Sequence, residues 1–100
     1  MPNLNTKKDI LAALREMRDM IKTRYKVKEI GIFGSVVRDE QRTASDIDIL
    51  VEFDDGADLF DLVGLSLFLE EKLQRKVDIV PKRALRPELR EAVLKEVAIP

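Results

Sequence analysis

The stretch Asp46-Ile47-Asp48-Ile49-Leu50-Val51-Glu52-Phe53 decides how this sequence folds. Ile47, Ile49, Val51 and Phe53 alternate with Asp46, Asp48, Leu50 and Glu52, which is the period of a β-strand with two different faces. One face is wholly apolar and belongs against a core. The other carries Asp46 and Asp48 about 6.5–7 Å apart at Cα. Two carboxylates that close repel each other unless a cation sits between them, and an oxygen-ligated divalent metal would do so. The alternative is a solvent-facing edge of a half-buried strand, where Asp is disfavoured but tolerated. The pair by itself leaves both open.

Working outward, Lys76-Val77-Asp78-Ile79-Val80 reads as a second short strand, closed by Pro81. If Val77 and Ile79 face the core, Asp78 points to the other surface. Were this strand the neighbour of Asp46–Phe53, three carboxylates would meet on one patch. Upstream, Val27–Phe33 reads as a strand that ends in Gly34-Ser35. Glycine lets the backbone approach a ligand closely, and serine adds a hydroxyl beside the backbone N–H groups. Arg38 could add a planar cation suited to phosphate. Alone, the Gly-Ser pair reads equally as a capped turn.

Helices fill the rest. Ile10, Leu14, Met17 and Ile21 step by four, three and four, so a helix runs from about Thr6 to Arg24, with Asn5 or Thr6 as N-cap. After the turn Asp54-Asp55-Gly56, Asp58 caps a second helix reaching about Arg75, with Asp61 at the capping-box position. That helix is apolar over most of its surface, so it is expected to be well buried. A third begins near Pro87, a favoured first-turn residue. Glu52, Asp54, Asp55, Asp58 and Asp61 read as turn and capping chemistry, and Tyr25 as a packing residue. The expected class is α/β (α+β): a small mixed β-sheet with helices packed on it, in one domain covering 1–100.

Composition narrows the chemistry. The 100 residues include no histidine and no cysteine, which removes thiolate nucleophiles, a histidine base and the usual zinc ligands. Any metal must accept oxygen ligands, so Mg²⁺, Mn²⁺ or Ca²⁺ remain. With 18 Lys plus Arg against 19 Asp plus Glu, the net charge of −1 gives no global basis for gripping nucleic acid. The start lacks a signal-peptide h-region, and the run Leu62–Leu69 is far short of the roughly 20 residues that span a bilayer. A cytoplasmic protein with no membrane role is expected.

Gly34-Ser35, then ten residues, then Asp46-Ile47-Asp48 preceded by Ser45, and a later strand Asp78, form a constellation. In Ile32-Phe33-Gly34-Ser35-Val36-Val37-Arg38 and Ser45-Asp46-Ile47-Asp48-Ile49-Leu50-Val51, the sequence resembles the DNA-polymerase-β-like nucleotidyltransferase superfamily. Within it, the chain resembles the minimal nucleotidyltransferases (MNT) of prokaryotes. The strand Lys76–Pro81 and the helix start Leu85-Arg86-Pro87-Glu88-Leu89 fit too, so the likeness runs from about Ile10 to Val97. It implies that Gly34 and Ser35 bind the triphosphate of ATP, with Arg38 assisting. It further implies that Asp46, Asp48 and Asp78 hold two Mg²⁺ ions (or Mn²⁺), and that Asp78 helps deprotonate the acceptor hydroxyl.

The same resemblance implies an antitoxin that transfers AMP to a tyrosine of a HEPN-domain toxin. Larger members of the superfamily grip their acceptor with extra domains, for which 100 residues leave no room. The acceptor surface is therefore expected from a partner or from a second copy in a homo-oligomer. A different class of reading is a non-catalytic antitoxin that neutralises its partner by binding alone. A third, a small-molecule nucleotidyltransferase, would need an acceptor pocket that the chain is too short to build.

Overall fold

A computed structural model of the chain describes residues 6–38 and 46–100. Asn5, a candidate N-cap, and Ser45 lie outside the described residues. The first helix, α1, spans Lys7–Arg24, and the Thr6 side chain accepts the Asp9 N–H as its N-cap. Strand β1 (Val27–Phe33) ends in a single 3₁₀ turn, Gly34–Val36. Strand β2 (Ile47–Phe53) is followed by α2 (Leu59–Leu73), β3 (Val77–Pro81) and α3 (Pro87–Glu96). Asp58 caps α2 in a full capping box, accepting from the Asp61 N–H while Asp61 accepts from the Asp58 N–H. The expected elements are all present, with ends shifted by at most two residues.

The sheet has the order β1-β2-β3. β1 pairs antiparallel to β2, and β2 pairs parallel to β3, so the sheet is mixed as expected. The parallel pair requires a crossover, which α2 provides. Ile47, Ile49 and Val51 are fully buried under Ile10, Leu14 and Ile21 of α1 and Leu65, Leu69 and Leu73 of α2. Burying one such side chain is worth about 1.5–3 kcal/mol, so this face holds the domain together. Among the described residues, no helix is long and apolar enough to cross a membrane.

The expectation that α2 is well buried is corrected. Phe60 is 86% exposed, Leu59 69% and Leu67 63%, and Val63 is exposed beside them. A helix lying on three strands meets the sheet along one stripe, here Leu65, Leu69 and Leu73. No described element covers its outer side, so its remaining apolar residues face outward. α3, by contrast, has no fully buried residue.

On the opposite face of the sheet, the stretch around Gly31 is covered by Val97, Ala98 and Ile99. Ile32 and Ala98 exchange backbone hydrogen bonds of 2.9 and 2.8 Å, which adds a short rung to the free edge of β1. Gly31 is needed beneath it, since a Cβ there would lie 2.7 Å from Val97 Cγ2 and 2.8 Å from Ile99 Cδ1.

Candidate active site

Strand register builds the site. Phe33 is the partner of Asp48 across the antiparallel pair, so the residue after Phe33 turns beside the Asp48 side chain. That residue is Gly34, with φ +78°, a conformation that side chains rarely adopt. A Cβ at Gly34 would overlap Asp48 Oδ2 and lie 3.1 Å from Asp48 Cγ. Glycine thus serves two ends here, the left-handed turn and the room for a carboxylate. The turn is closed by Val37 and Arg38 N–H groups donating to the Gly34 carbonyl, both at 3.1 Å.

Asp48 is also the register partner of Asp78 across the parallel pair. Cα atoms paired this way stand about 4.7–4.9 Å apart. The condition left open by the sequence, that these strands be neighbours, is met. Asp46 stands exposed just before β2, Asp48 is half-buried and Asp78 is exposed. Burial pushes the Asp48 carboxyl above its ordinary pKa, and the neighbouring charges of Asp78, then Asp46, push the same way. Arg38 opposes them, while Glu96 adds a smaller upward push. Such an acid cluster is short of positive charge.

Among the described residues, no three acidic groups are drawn together into a closed metal cage. Backbone register nevertheless sets Asp48 beside Asp78 and two positions after Asp46, so the three residues share one part of the sheet. The donors are all carboxylate oxygens on adjoining strand positions, a set suited to Mg²⁺ or Mn²⁺. A cleft of about 310 Å³ opens at the other end of β2, lined by residues including Glu52, Lys82 and Arg90, and holds none of these groups. A larger, more open hollow of about 710 Å³ lies beside the Gly34 turn, lined by Val36 and Val37 together with Lys7, Lys8 and Arg15 of α1. The carboxylates lie on an open face, which suits a large acceptor more than a small one.

One participant was missed by the sequence reading. Glu96, the last residue of α3, accepts the Gly34 N–H at 3.1 Å with Oε2 and an Arg38 Nη1–H at 2.7 Å with Oε1. The available signal was local. An acid at a helix C-terminus faces the negative end of the helix dipole and needs a compensating partner. Ser35 sits half-buried in the same turn as Gly34. The residues set aside as structural behave so: Asp58 and Asp61 cap α2, Glu52 lies 3.8 Å from Lys82 Nζ, and Tyr25 is buried against the Phe68 ring.

Comparison with known proteins gives a consistent picture. The family described as "Nucleotidyltransferase domain" matches residues 14–99. The protein adenylyltransferase MntA of Thermococcus cleftensis is 38% identical over 92 residues, which is 92% of this chain and 93% of that one. A solved minimal nucleotidyltransferase superposes with a TM-score of 0.74 at 43% identity, covering 88% of this chain and 93% of the other. A chain from a toxin–antitoxin crystal structure with AMP-PNP superposes with a TM-score of 0.67 at 27% identity, covering 84% and 69%.

Proposed function

The chain belongs to the nucleotidyltransferase-domain family as a minimal nucleotidyltransferase, and from that premise we propose that it moves AMP from ATP onto a hydroxyl of a protein partner. The acceptor in this reading is a tyrosine of a HEPN-domain toxin, and the modification silences it, so the chain acts as an antitoxin. The observation that carries the reading is the Asp48–Asp78 register beside the Gly34 turn. Its biological direction is supported by the relative called a protein adenylyltransferase and by the toxin–antitoxin structure holding AMP-PNP, an ATP analogue.

In this mechanism Ser35 and Arg38 hold the triphosphate at the end of β1, with the turn at Gly34 setting how close it comes. Asp46, Asp48 and Asp78 are the residues that would hold two divalent ions, Mg²⁺ or Mn²⁺. Such ions supply charge neutralisation at the attacking and leaving oxygens of an in-line displacement. Asp78, the outermost of the carboxylates paired across β2 and β3, takes the proton of the acceptor hydroxyl. The acceptor oxygen then bonds to the α-phosphorus as the bond to pyrophosphate breaks. Fixed positions and charges suffice for phosphoryl chemistry, and a site without histidine loses nothing by it.

The test is transfer of label from α-labelled ATP to the partner toxin in Mg²⁺. The native chain should label the toxin, and an Asp46→Asn, Asp48→Asn double variant should not. Label transfer surviving in that variant would sink the catalytic reading. The outward apolar stripe of α2 favours a second reading, neutralisation by binding alone, because surfaces of that kind are covered by protein partners. Full neutralisation of the toxin by the same double variant would establish it.

A further inference from the structure

The Glu96 contacts change what the Gly34 turn can offer a nucleotide. A backbone N–H is a single donor, and that of Gly34 is given to Glu96 Oε2. A phosphate approaching the turn therefore meets the Ser35 hydroxyl and the Arg38 guanidinium, while the Gly34 amide is already engaged. Arg38 is different in kind. It has five N–H donors in a planar fork, and its Nη1 contact to Glu96 Oε1 fixes one corner of that fork.

We propose that Glu96 is a positioning residue of the nucleotide site, one carboxylate that pins the Gly34–Ser35 turn and aims Arg38 at the triphosphate. The inference rests on the nucleotidyl-transfer reading above and deepens it. Half of the Arg38 side chain is exposed, and the 2.7 Å contact to Glu96 narrows the rotamers that nucleotide binding would otherwise have to order. Glu96 is only 19% exposed, and the backbone beyond it is fixed by the Ala98–Ile32 pair. It is thus held from two sides, by its helix and by the strand pairing beyond it. α3 buries no side chain fully, which makes this end of the helix a support for the site more than a part of the core.

The test uses the full chain, with Mg²⁺ and AMP-PNP as the probe, titrated by calorimetry, and far-UV circular dichroism as the control for folding. Glu96→Ala should weaken AMP-PNP binding about threefold to tenfold, the range expected when one rotamer-rich side chain must be ordered on binding. Glu96→Gln keeps an acceptor for only one of the two donors and should fall between. Glu96→Ala also leaves the N–H of buried Gly34 without this acceptor and should lower the unfolding temperature, so binding is measured at temperatures where circular dichroism shows each variant folded. In an Arg38→Ala background, removing Glu96 should cost less affinity than in the native chain, because only its hold on the Gly34–Ser35 turn then remains. Equal losses in both backgrounds would mark a merely structural role and overturn the proposal. So would tighter or unchanged binding by Glu96→Ala, which would make the carboxylate a competitor of phosphate or irrelevant to it. A native chain that binds no AMP-PNP would overturn the nucleotide reading itself, and the positioning role with it.

Discussion

Gly34→Ala separates two costs that the structure stacks at one atom. The first is conformational: at φ +78° a side chain costs about 1–2 kcal/mol. The second is steric. The new methyl would overlap Asp48 Oδ2, which is the end of a side chain that can rotate, so the expected response is an off-rotamer Asp48 at roughly 0.5–1.5 kcal/mol. Together they give about 1.5–3.5 kcal/mol. At about 4–8 °C per kcal/mol for a domain of this size, Tm should fall by roughly 6–28 °C. Urea unfolding followed by circular dichroism in metal-free buffer measures the loss. Gly56→Ala is the control, since nothing lies within 4 Å of a Cβ there. It should be neutral or stabilising by up to about 1 kcal/mol. Repeating Gly34→Ala in an Asp48→Ala background removes the steric share and should recover about 0.5–1.5 kcal/mol. If Gly34→Ala costs no more than Gly56→Ala, or if the Asp48→Ala background gives no recovery, the packing of the turn on Asp48 is not as described.

The remaining expectations concern charge, capping and packing. Asp48→Asn should cost nucleotidyl transfer more than the roughly 10–100-fold that even outer-shell partners of a metal site cost. The same variant should be more stable than the native chain at neutral pH without metal, measured by urea unfolding. The sign follows from the raised pKa: the folded state binds the Asp48 proton more tightly than the unfolded chain, so its charge is a penalty above the folded pKa. That penalty fades as pH falls through the folded pKa, and the advantage of Asn should fade with it. Mg²⁺ should raise native Tm, with about 2.7 kcal/mol of stabilisation at a hundred times its Kd, and Asp48→Asn should blunt the rise. Asp58→Ala removes the side-chain half of the α2 capping box and should cost about 1 kcal/mol in the same unfolding assay. Leu65→Ala should cost about 2–5 kcal/mol, while Phe60→Ser on the outward side of the same helix should stay within about 0.5 kcal/mol.

How much of this was legible in the sequence depends on the range over which each signal acts. Strand alternation and helix spacing are local, and both gave elements that match the structure closely. The Asp58 capping box spans three residues and could be read directly. Pairing is not local. Asp48 and Asp78 meet only because β2 lies parallel to β3 in a particular register, which spacing along the chain cannot specify. The burial of α2 was misjudged because composition counts apolar residues, whereas burial depends on how many layers surround a helix. Glu96 escaped because its partners lie 62 and 58 residues away. Its one local trace, an acid at a helix C-terminus, becomes informative once a partner is in view.

The electrostatics of the site explain why it takes this form. Burial, Asp78, Asp46 and Glu96 all push Asp48 towards protonation, and among the described residues Arg38 opposes them. A fold selected for stability would relieve that imbalance with an amide at position 48. Keeping the carboxylate, with a glycine at φ +78° to make room for it, accepts a repulsion that a bound cation would relieve. The same reasoning fixes the part played by Glu96. Near three aspartates a further carboxylate should be unwelcome, and it is tolerated because it spends its charge on the Gly34 amide and Arg38. With neither histidine nor cysteine in the chain, neutralisation and orientation are what the protein can contribute. Both are arranged along the end of β1 and the starts of β2 and β3.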